Sequence, residues 1–185
     1  MNFLKINNIA FPGSKPFNSY FCGGYLIWEI PGAYNFIDSR FLNDDIYYRY
    51  KYLNNKQPGF EQSFENYGFD YVLWFFPKLP AMSIELKTSI ASYLFKTSDK
   101  WKLVYWDDNS FVFVKNNQRY REIIRQNEYK YVNPYYFIYE KEPLQKATYD
   151  DAGRIVEEIQ RNYKLNPDGV FINAMINAFK IPVSK

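Results

Sequence analysis

The chain has 185 residues, which fits one domain with a substantial core, although two very small lobes are an alternative. Its formal net charge of +3 comes from 23 basic and 20 acidic residues, mixed along the chain, which argues against nucleic acid as a partner. The absence of histidine excludes Ser-His-Asp and Cys-His catalysis and imidazole zinc sites. The single Cys22 excludes an internal disulfide and a thiolate metal cluster.

Aromatic residues make up 22% of the chain, with 19 Tyr and 17 Phe. Where such rings are exposed, they can stack on sugars or fill a protein interface. The alternative is that an AT-rich genome enriches Tyr and Phe together with Asn, Lys and Ile, so that the rings have no special role. No apolar run reaches the 18 residues of a membrane span, and the first residues lack the apolar core of a signal peptide. We therefore expect the chain itself to be soluble, and cytoplasmic if it is native and complete.

The first part of the chain is predicted to alternate short strands and helices. Strands are expected at 17–21, before a glycine pair, and at 34–38. Helices are expected at 25–30, where Pro31 and Gly32 follow, and at 42–53 and 60–67.

The middle of the chain combines a buried strand, a helix and a hairpin. Residues 70–76 form a continuous apolar run that predicts a central strand. From Met82 onward, apolar residues recur every three to four positions, which predicts one helix packed on the sheet. Residues 101–106 and 111–115 flank a run of turn formers and predict an antiparallel hairpin.

The last part of the chain is predicted to be mostly helical. We expect a helix at 119–126 and an irregular segment at 129–143. Thr148 and Asp151 resemble a capping box that starts the next helix, and Asp168 is expected to cap the last one.

These elements predict an α/β fold with a single mixed sheet, parallel at its centre with an antiparallel C-terminal hairpin. Helices pack on the sheet, and a helical tail follows. We divide the chain into an α/β soluble domain, residues 1–143, and a helical appendage of the same domain, residues 144–185. A two-layer α+β arrangement is the alternative.

The glycine pair Gly23 and Gly24 is the first candidate site. Its backbone N–H groups could contact an anion, but neither common phosphate-binding glycine pattern is present. The alternative, which we favour, is a packing role, because glycine permits close backbone approach or a positive φ.

Asp38 and Arg40 form the second candidate, at the end of the strand predicted at 34–38. Open α/β folds bind ligands at the carboxyl edge of their parallel strands, which makes this the best candidate site. The alternative is an ion pair that ties the strand end to the next loop.

Other polar and aromatic features have ordinary structural explanations. Three adjacent acidic pairs, at 44–45, 107–108 and 150–151, offer oxygen ligands for a cation but equally suit helix N-termini and turns. Most of the four tryptophans lie in predicted strands, which favours core packing over glycan stacking.

Several segments resemble the C-terminal soluble region of bacterial multi-pass membrane proteins similar to GT-C glycosyltransferases, including oligosaccharyltransferase-like and O-mannosyltransferase-like members. The segments are FLKIN, FNSYFCGGYLIWEIPGAYNFIDSRF, NYGFDYVLWFF and WKLVYWDDNSFVFVKNN, within residues 3 to 135. The sequence departs from the family pattern at Cys22, where an aromatic or acidic residue is usual, and at Ser39, where a glycine is usual.

The resemblance implies a parent enzyme that uses a polyprenyl-linked sugar donor and holds its catalytic acids in loops near the membrane. This chain is then a non-catalytic domain at the extracytoplasmic face of the cytoplasmic membrane. Its partners are the transmembrane part of its own parent protein and a glycan or peptide acceptor, and no nucleic acid. The predicted ligand-binding residues are Gly23, Gly24, Tyr25, Asp38 and Arg40, with no catalytic residue, metal or cofactor.

Two alternatives stay open. The first is a free-standing soluble module that binds a glycan or a protein through exposed Tyr and Phe. The second is a stand-alone enzyme, which needs acid/base work from carboxylates such as Glu29, Asp38 or Asp108.

Overall fold

The computed structural model describes residues 1–40, 43–76 and 79–182, without the side chains of residues 79–83. Its centre is a four-stranded sheet of order β1-β2-β4-β3. The strands are β1 (Pro16–Asn18), β2 (Tyr71–Phe75), β3 (Trp101–Trp106) and β4 (Ser110–Lys115). β1 pairs parallel with β2, whereas β4 pairs antiparallel with both β2 and β3.

The helices of the described residues surround this sheet. In chain order they are α1 (Asn2–Ile6), α2 (Gly23–Glu29), α3 (Asp44–Asn54), α4 (Phe60–Tyr67), α5 (Leu79–Thr88), α6 (Ile90–Lys96), α7 (Arg121–Asn127), α8 (Pro134–Ile138), α9 (Lys141–Asp150), α10 (Ala152–Leu165) and α11 (Val170–Phe179). Two 3₁₀ turns, Tyr20–Cys22 and Gln118–Tyr120, precede α2 and α7.

The two faces of the sheet carry unequal helical layers. On β2, Val72 and Trp74 belong to the larger core, which most of the helices cover. Tyr71 and Leu73 alternate with them and belong to a smaller core, in which Leu26 of α2 takes part. Burial on both faces explains the continuous apolar run that predicted this strand.

The predicted mixed α/β sheet with an antiparallel hairpin and a helical tail is confirmed. The parallel pairing lies at the β1 edge, because β4 inserts between β2 and β3 and makes the inner pair antiparallel. The predicted division at residue 143 falls inside α9, and α10 and α11 bury Ile155, Ile159 and Met175 in the larger core.

The prediction of a strand at 34–38 is wrong. Residues 33–38 have no regular secondary structure, because their backbone is held by a side chain. The Nδ2 group of Asn18 donates to the carbonyl of Ile37 at 2.6 Å, and the N–H of Phe36 donates to Asn18 Oδ1 at 2.7 Å. The strand predicted at 17–21 is also shorter, since β1 ends at Asn18.

The single helix predicted from Met82 is two helices. Ser89 has an extended backbone, and its hydroxyl accepts a hydrogen bond from the N–H of Ala91, which starts α6. The helix predicted at 42–53 is observed as α3, and Leu42 lies outside the described residues.

The irregular segment predicted at 129–143 contains α8 and the start of α9. Asn133 caps α8 by accepting from the N–H of Tyr136 at 2.9 Å, and Pro134 occupies the first turn. The predicted Thr148 cap is also wrong, because Thr148 lies inside α9 and donates to the carbonyl of Gln145.

Candidate ligand-binding site

The carboxyl ends of the two parallel strands open into a pocket. The register pairs Pro16 with Tyr71 and Asn18 with Leu73, so β1 and β2 end at the same edge of the sheet. The pocket has a volume of about 370 Å³ and is lined by residues after β1, by the end of β2 and the residue after it, by α3 and the residue after it, and by Glu85 of α5. This is the edge at which open α/β sheets place their ligands.

The pocket wall is rich in aromatic rings, with a few polar side chains among them. The lining rings are Tyr20, Phe21, Tyr47, Tyr50, Trp74, Phe75 and Phe76. The polar lining residues are Ser19, Lys51, Asn54, Asn55 and Glu85. Mostly apolar walls with a few polar groups are typical of small-molecule sites.

Several of these residues have defined roles in the wall. Ser19 accepts a hydrogen bond from the N–H of Phe75 at 2.9 Å, which joins the ends of the two strands. Burial raises the pKa of Tyr50 to about 12, so this ring stays uncharged at physiological pH. The Lys51 ammonium lies 5.6 Å from the centroid of the Tyr47 ring, a cation–π distance.

The predicted residues Asp38 and Arg40 line a second, smaller pocket of about 140 Å³ that shares Tyr47 with the first. Asp38 accepts from the backbone N–H of Arg40 at 2.9 Å and from its guanidinium at 2.8 Å. Asn35 donates to the same carboxylate at 2.7 Å. These contacts form the ion pair given above as the alternative to a ligand site, although the residues before it are not a strand, and we call this Asp38–Arg40 pair the latch.

Asp38 and Arg40 differ in their exposure to solvent. The side chain of Asp38 is 8% exposed and that of Arg40 is 57% exposed. The Arg40 guanidinium, helped by the Arg40 N–H and by Asn35, holds the pKa of Asp38 well below its usual range against the opposing effect of burial. Asp38 is therefore an ionised, satisfied carboxylate.

Gly23 lies against the same segment. A Cβ atom at Gly23 would lie 2.0 Å from the carbonyl oxygen of Ile37 and 2.8 Å from the Cβ of Asp38. Its φ of −60° is ordinary for a helix, so glycine is needed for close approach and not for its backbone angles. Gly24 faces open space.

The five predicted site residues therefore do not form one site. The structure brings Gly23, Asp38 and Arg40 together near the end of β1. Tyr25 is 67% exposed and lines a different groove of about 740 Å³, which also touches Leu73 on the opposite face of the sheet.

The carboxylates of the enzyme hypothesis each have a structural contact and do not meet in one site. Glu29 pairs with Lys5 at 2.6 Å, and Asp38 pairs with Arg40. Asp108 accepts from the backbone N–H groups of Val170 and Phe171, at the start of α11.

A serine and a lysine also meet, in an arrangement that some hydrolases use. Lys56 Nζ donates to Ser92 Oγ, which in turn donates to the carbonyl of Ser89 at 2.9 Å. Ser92 is only 3% exposed and lines neither of the two pockets described above, so its hydroxyl is not open to a substrate. The pair fixes the start of α6 to the loop after α3.

The acidic pairs match their predicted structural roles only in part, since Asp44 and Asp45 lie in the first turn of α3, whereas Asp108 contacts α11 and Asp150 is the last residue of α9. Asp107 accepts from the N–H groups of Asn109 and Ser110 in the hairpin turn. Within the described ranges, no three potential metal-ligating side chains form a group. Of the tryptophans, only Trp28, at 82% exposure, lies on the surface, and the other three are buried.

Sequence reasoning missed Asn54 and Glu85 as pocket residues. The tyrosine-rich composition of 42–53 was a signal for the wall formed by α3. Nothing in the sequence marks Glu85, because α5 is brought to the pocket only by the tertiary fold.

No protein-family model, curated protein or solved structure matches this chain. In the part of the chain that the structure describes, no helix has both the length and the apolar character needed to cross a bilayer.

Proposed function

We propose that this chain is a binding domain that holds a glycan in the pocket at the carboxyl ends of β1 and β2. The observation that supports this is the composition of the pocket, in which rings from α3 and both strand ends surround a few amide and charged groups. A volume of about 370 Å³ is large enough for a small ligand.

The chemistry of a sugar ring fits such a wall. One face of a pyranose carries C–H groups that pack on an aromatic ring, while its edge carries hydroxyls that both donate and accept hydrogen bonds. Tyr47 and Tyr50 supply rings, and Asn54 and Asn55 supply amides. Catalysis is left to another part of the parent protein.

The parent that we propose is a bacterial, GT-C glycosyltransferase-like membrane protein, with this domain on the extracytoplasmic face of the cytoplasmic membrane. There it assists binding of a glycan or peptide acceptor, or orders the external loops of the transmembrane part. The support for this setting is the resemblance of the segments given above. A free-standing soluble glycan- or protein-binding module is the second candidate, and the same pocket serves it.

Calorimetry of the 185-residue chain with linear oligosaccharides, both neutral and amine-bearing, tests the glycan site. Trp74 lines the pocket, so binding should also change tryptophan fluorescence. Tyr47→Ala removes a ring and should weaken binding by about 2- to 10-fold. Tyr48→Ala is the matched control, because Tyr48 is the next residue on α3, is 68% exposed and does not line this pocket.

The glycan site would be rejected if Tyr47→Ala and Tyr48→Ala weakened binding equally, or if the wild-type chain bound no oligosaccharide. An antibody against the chain separates the two settings in cells of the native host. A membrane-bound antigen that protease reaches in spheroplasts supports the glycosyltransferase-like parent. An antigen in the soluble cytoplasmic fraction supports the free-standing module.

A further inference from the structure

The pocket wall contains two hydrogen-bond acceptors that have no side-chain partner among the described residues. Asn54 is 9% exposed, and its Oδ1 atom is buried with no hydrogen bond from the described residues. Its Nδ2 group donates to Asn55 Oδ1 at 3.3 Å, so only the acceptor half of this amide is unused. A buried acceptor without a donor costs about 1 to 3 kcal/mol.

Glu85 is the second unused acceptor. Its side chain is half-buried, and among the described residues it makes no ion pair and no side-chain hydrogen bond. Glu65 and Glu128 are also half-buried, but they pair with Lys115 at 3.5 Å and Lys102 at 2.8 Å. A partly desolvated carboxylate is costly without a cation or several donors nearby.

Lys51, the one cation that the described residues contribute to the pocket wall, forms no ion pair with these acceptors. Lys51 is exposed, and its ammonium lies over the Tyr47 ring without forming an ion pair with Glu85. An exposed charge is screened by water and salt more strongly than a half-buried one. The inner wall therefore favours a donor or a positive charge.

We propose that the glycan bound in this pocket is an amino sugar whose ammonium group donates to Glu85 and, once the Asn54 amide turns toward the ligand, to the Oδ1 atom that is otherwise buried. This rests on the glycan function proposed above and specifies its ligand class. An ammonium group has three donors, which suits two acceptors, and the surrounding rings Tyr47, Tyr50 and Trp74 also favour a cation. An N-acetylated or hydroxyl-bearing ring lacks the charge that Glu85 requires.

The test compares three ligands of equal length by calorimetry at pH 6. Glucosamine pentamer carries protonated amines, whereas N-acetylglucosamine pentamer and cellopentaose are neutral. We expect the wild-type chain to bind the glucosamine pentamer about ten-fold or more tightly than either neutral ligand, as for a charged hydrogen bond. Pentalysine, which carries ammonium groups on a peptide, is the fourth ligand.

Glu85→Gln keeps the shape of the side chain and removes its charge, so it should abolish the preference for the amine. Glu61→Gln, at an exposed position on α4 outside the pocket, is the charge-matched control. Lys51→Met removes a positive charge that repels the ammonium group of the ligand. When binding is measured at low salt, this variant should therefore bind the amine about two-fold more tightly. Thermal unfolding of each variant checks that it is folded.

The outcomes separate this inference from the proposed function. Loss of the preference in Glu85→Gln, with the control unchanged, supports the amino sugar. Equal binding of the three sugars, or a preference that survives Glu85→Gln, overturns the amino-sugar inference and leaves the glycan site standing. Binding of pentalysine without binding of any sugar overturns both.

Discussion

The carboxylate of Asp108 accepts a hydrogen bond from the backbone N–H of Val170 at 2.7 Å. The turn of the β3–β4 hairpin thereby caps the last helix, 62 residues further along the chain. Phe171 donates to the second carboxylate oxygen at 3.1 Å. Asp168, the cap that the sequence predicts, is exposed and makes no such contact with α11.

Asp108→Ala should therefore lower the free energy of unfolding by about 1 kcal/mol, the usual cost of losing a helix cap. Asp168→Ala is the matched control and should change stability by less than about 0.5 kcal/mol. Urea denaturation followed by circular dichroism measures both. A larger loss of stability in Asp168→Ala than in Asp108→Ala would show that Asp168 caps α11.

Gly23→Ala should destabilise the chain by about 1 to 3 kcal/mol, because the new methyl group meets the Ile37 carbonyl and the segment must move. Gly24→Ala adds the same methyl group into open space within α2 and should stabilise the chain by about 0.5 kcal/mol. Thermal unfolding of the two variants measures the contrast. Equal melting temperatures would contradict the close approach at Gly23.

Glu158→Gln should cost about 3 kcal/mol in unfolding free energy. The Glu158 carboxylate is fully buried and accepts from the N–H groups of Lys130, Tyr131 and Val132 and from Arg154. A glutamine places an amide donor against one or more of those donors.

Glu157→Gln is the control for this change. Glu157 is the neighbouring residue on α10, its side chain is 58% exposed, and it pairs with Arg154 at 3.4 Å. Loss of this exposed pair should cost less than about 0.5 kcal/mol. If Glu158→Gln and Glu157→Gln lowered the free energy of unfolding by similar amounts, the buried contacts of Glu158 would not contribute more to stability than an exposed ion pair.

The Asp38 latch predicts a dependence of stability on pH. The pKa of Asp38 is lowered in the folded chain, chiefly by the Arg40 guanidinium, against an unfolded value of about 3.9. The resulting stability is present above that unfolded value and is lost as the pH falls through the folded pKa.

Asp38→Asn should thus be less stable than the wild type by about 1 kcal/mol at pH 7, a modest value because Arg40 is exposed. The difference should shrink as the pH is lowered from 4 to 2. Denaturation curves at a series of pH values measure it, and a constant difference across this range would refute the latch.

The strands β2, β3 and β4 could be predicted because their signals are local. Both faces of Tyr71–Phe75 are apolar, and the hairpin strands flank a run of turn formers. The prediction of a strand at 34–38 was wrong for a non-local reason. The apolar residues of this segment suggested a strand, but the side chain of Asn18 forms hydrogen bonds with the backbone of Phe36 and Ile37.

The candidate site could be predicted only in part. The rule that ligands bind at the carboxyl ends of parallel strands was applied to residues 34–38, which are not a strand, but Asp38 lines a pocket that shares Tyr47 with the pocket at the ends of β1 and β2. The principal pocket is completed by Asn54 and Glu85, at the end of α3 and on α5. Their approach depends on how the helices pack, which periodicity alone does not reveal.

The contacts of Glu158 have a consequence for the order of folding during synthesis. The backbone N–H groups of Lys130, Tyr131 and Val132 find their acceptor only after residue 158 has left the ribosome. Arg161 also donates to the carbonyls of Gln126 and Glu128. The link between α7 and α8 thus acquires its final shape after α10 is made, and a nascent chain stopped before that point leaves it open to proteases.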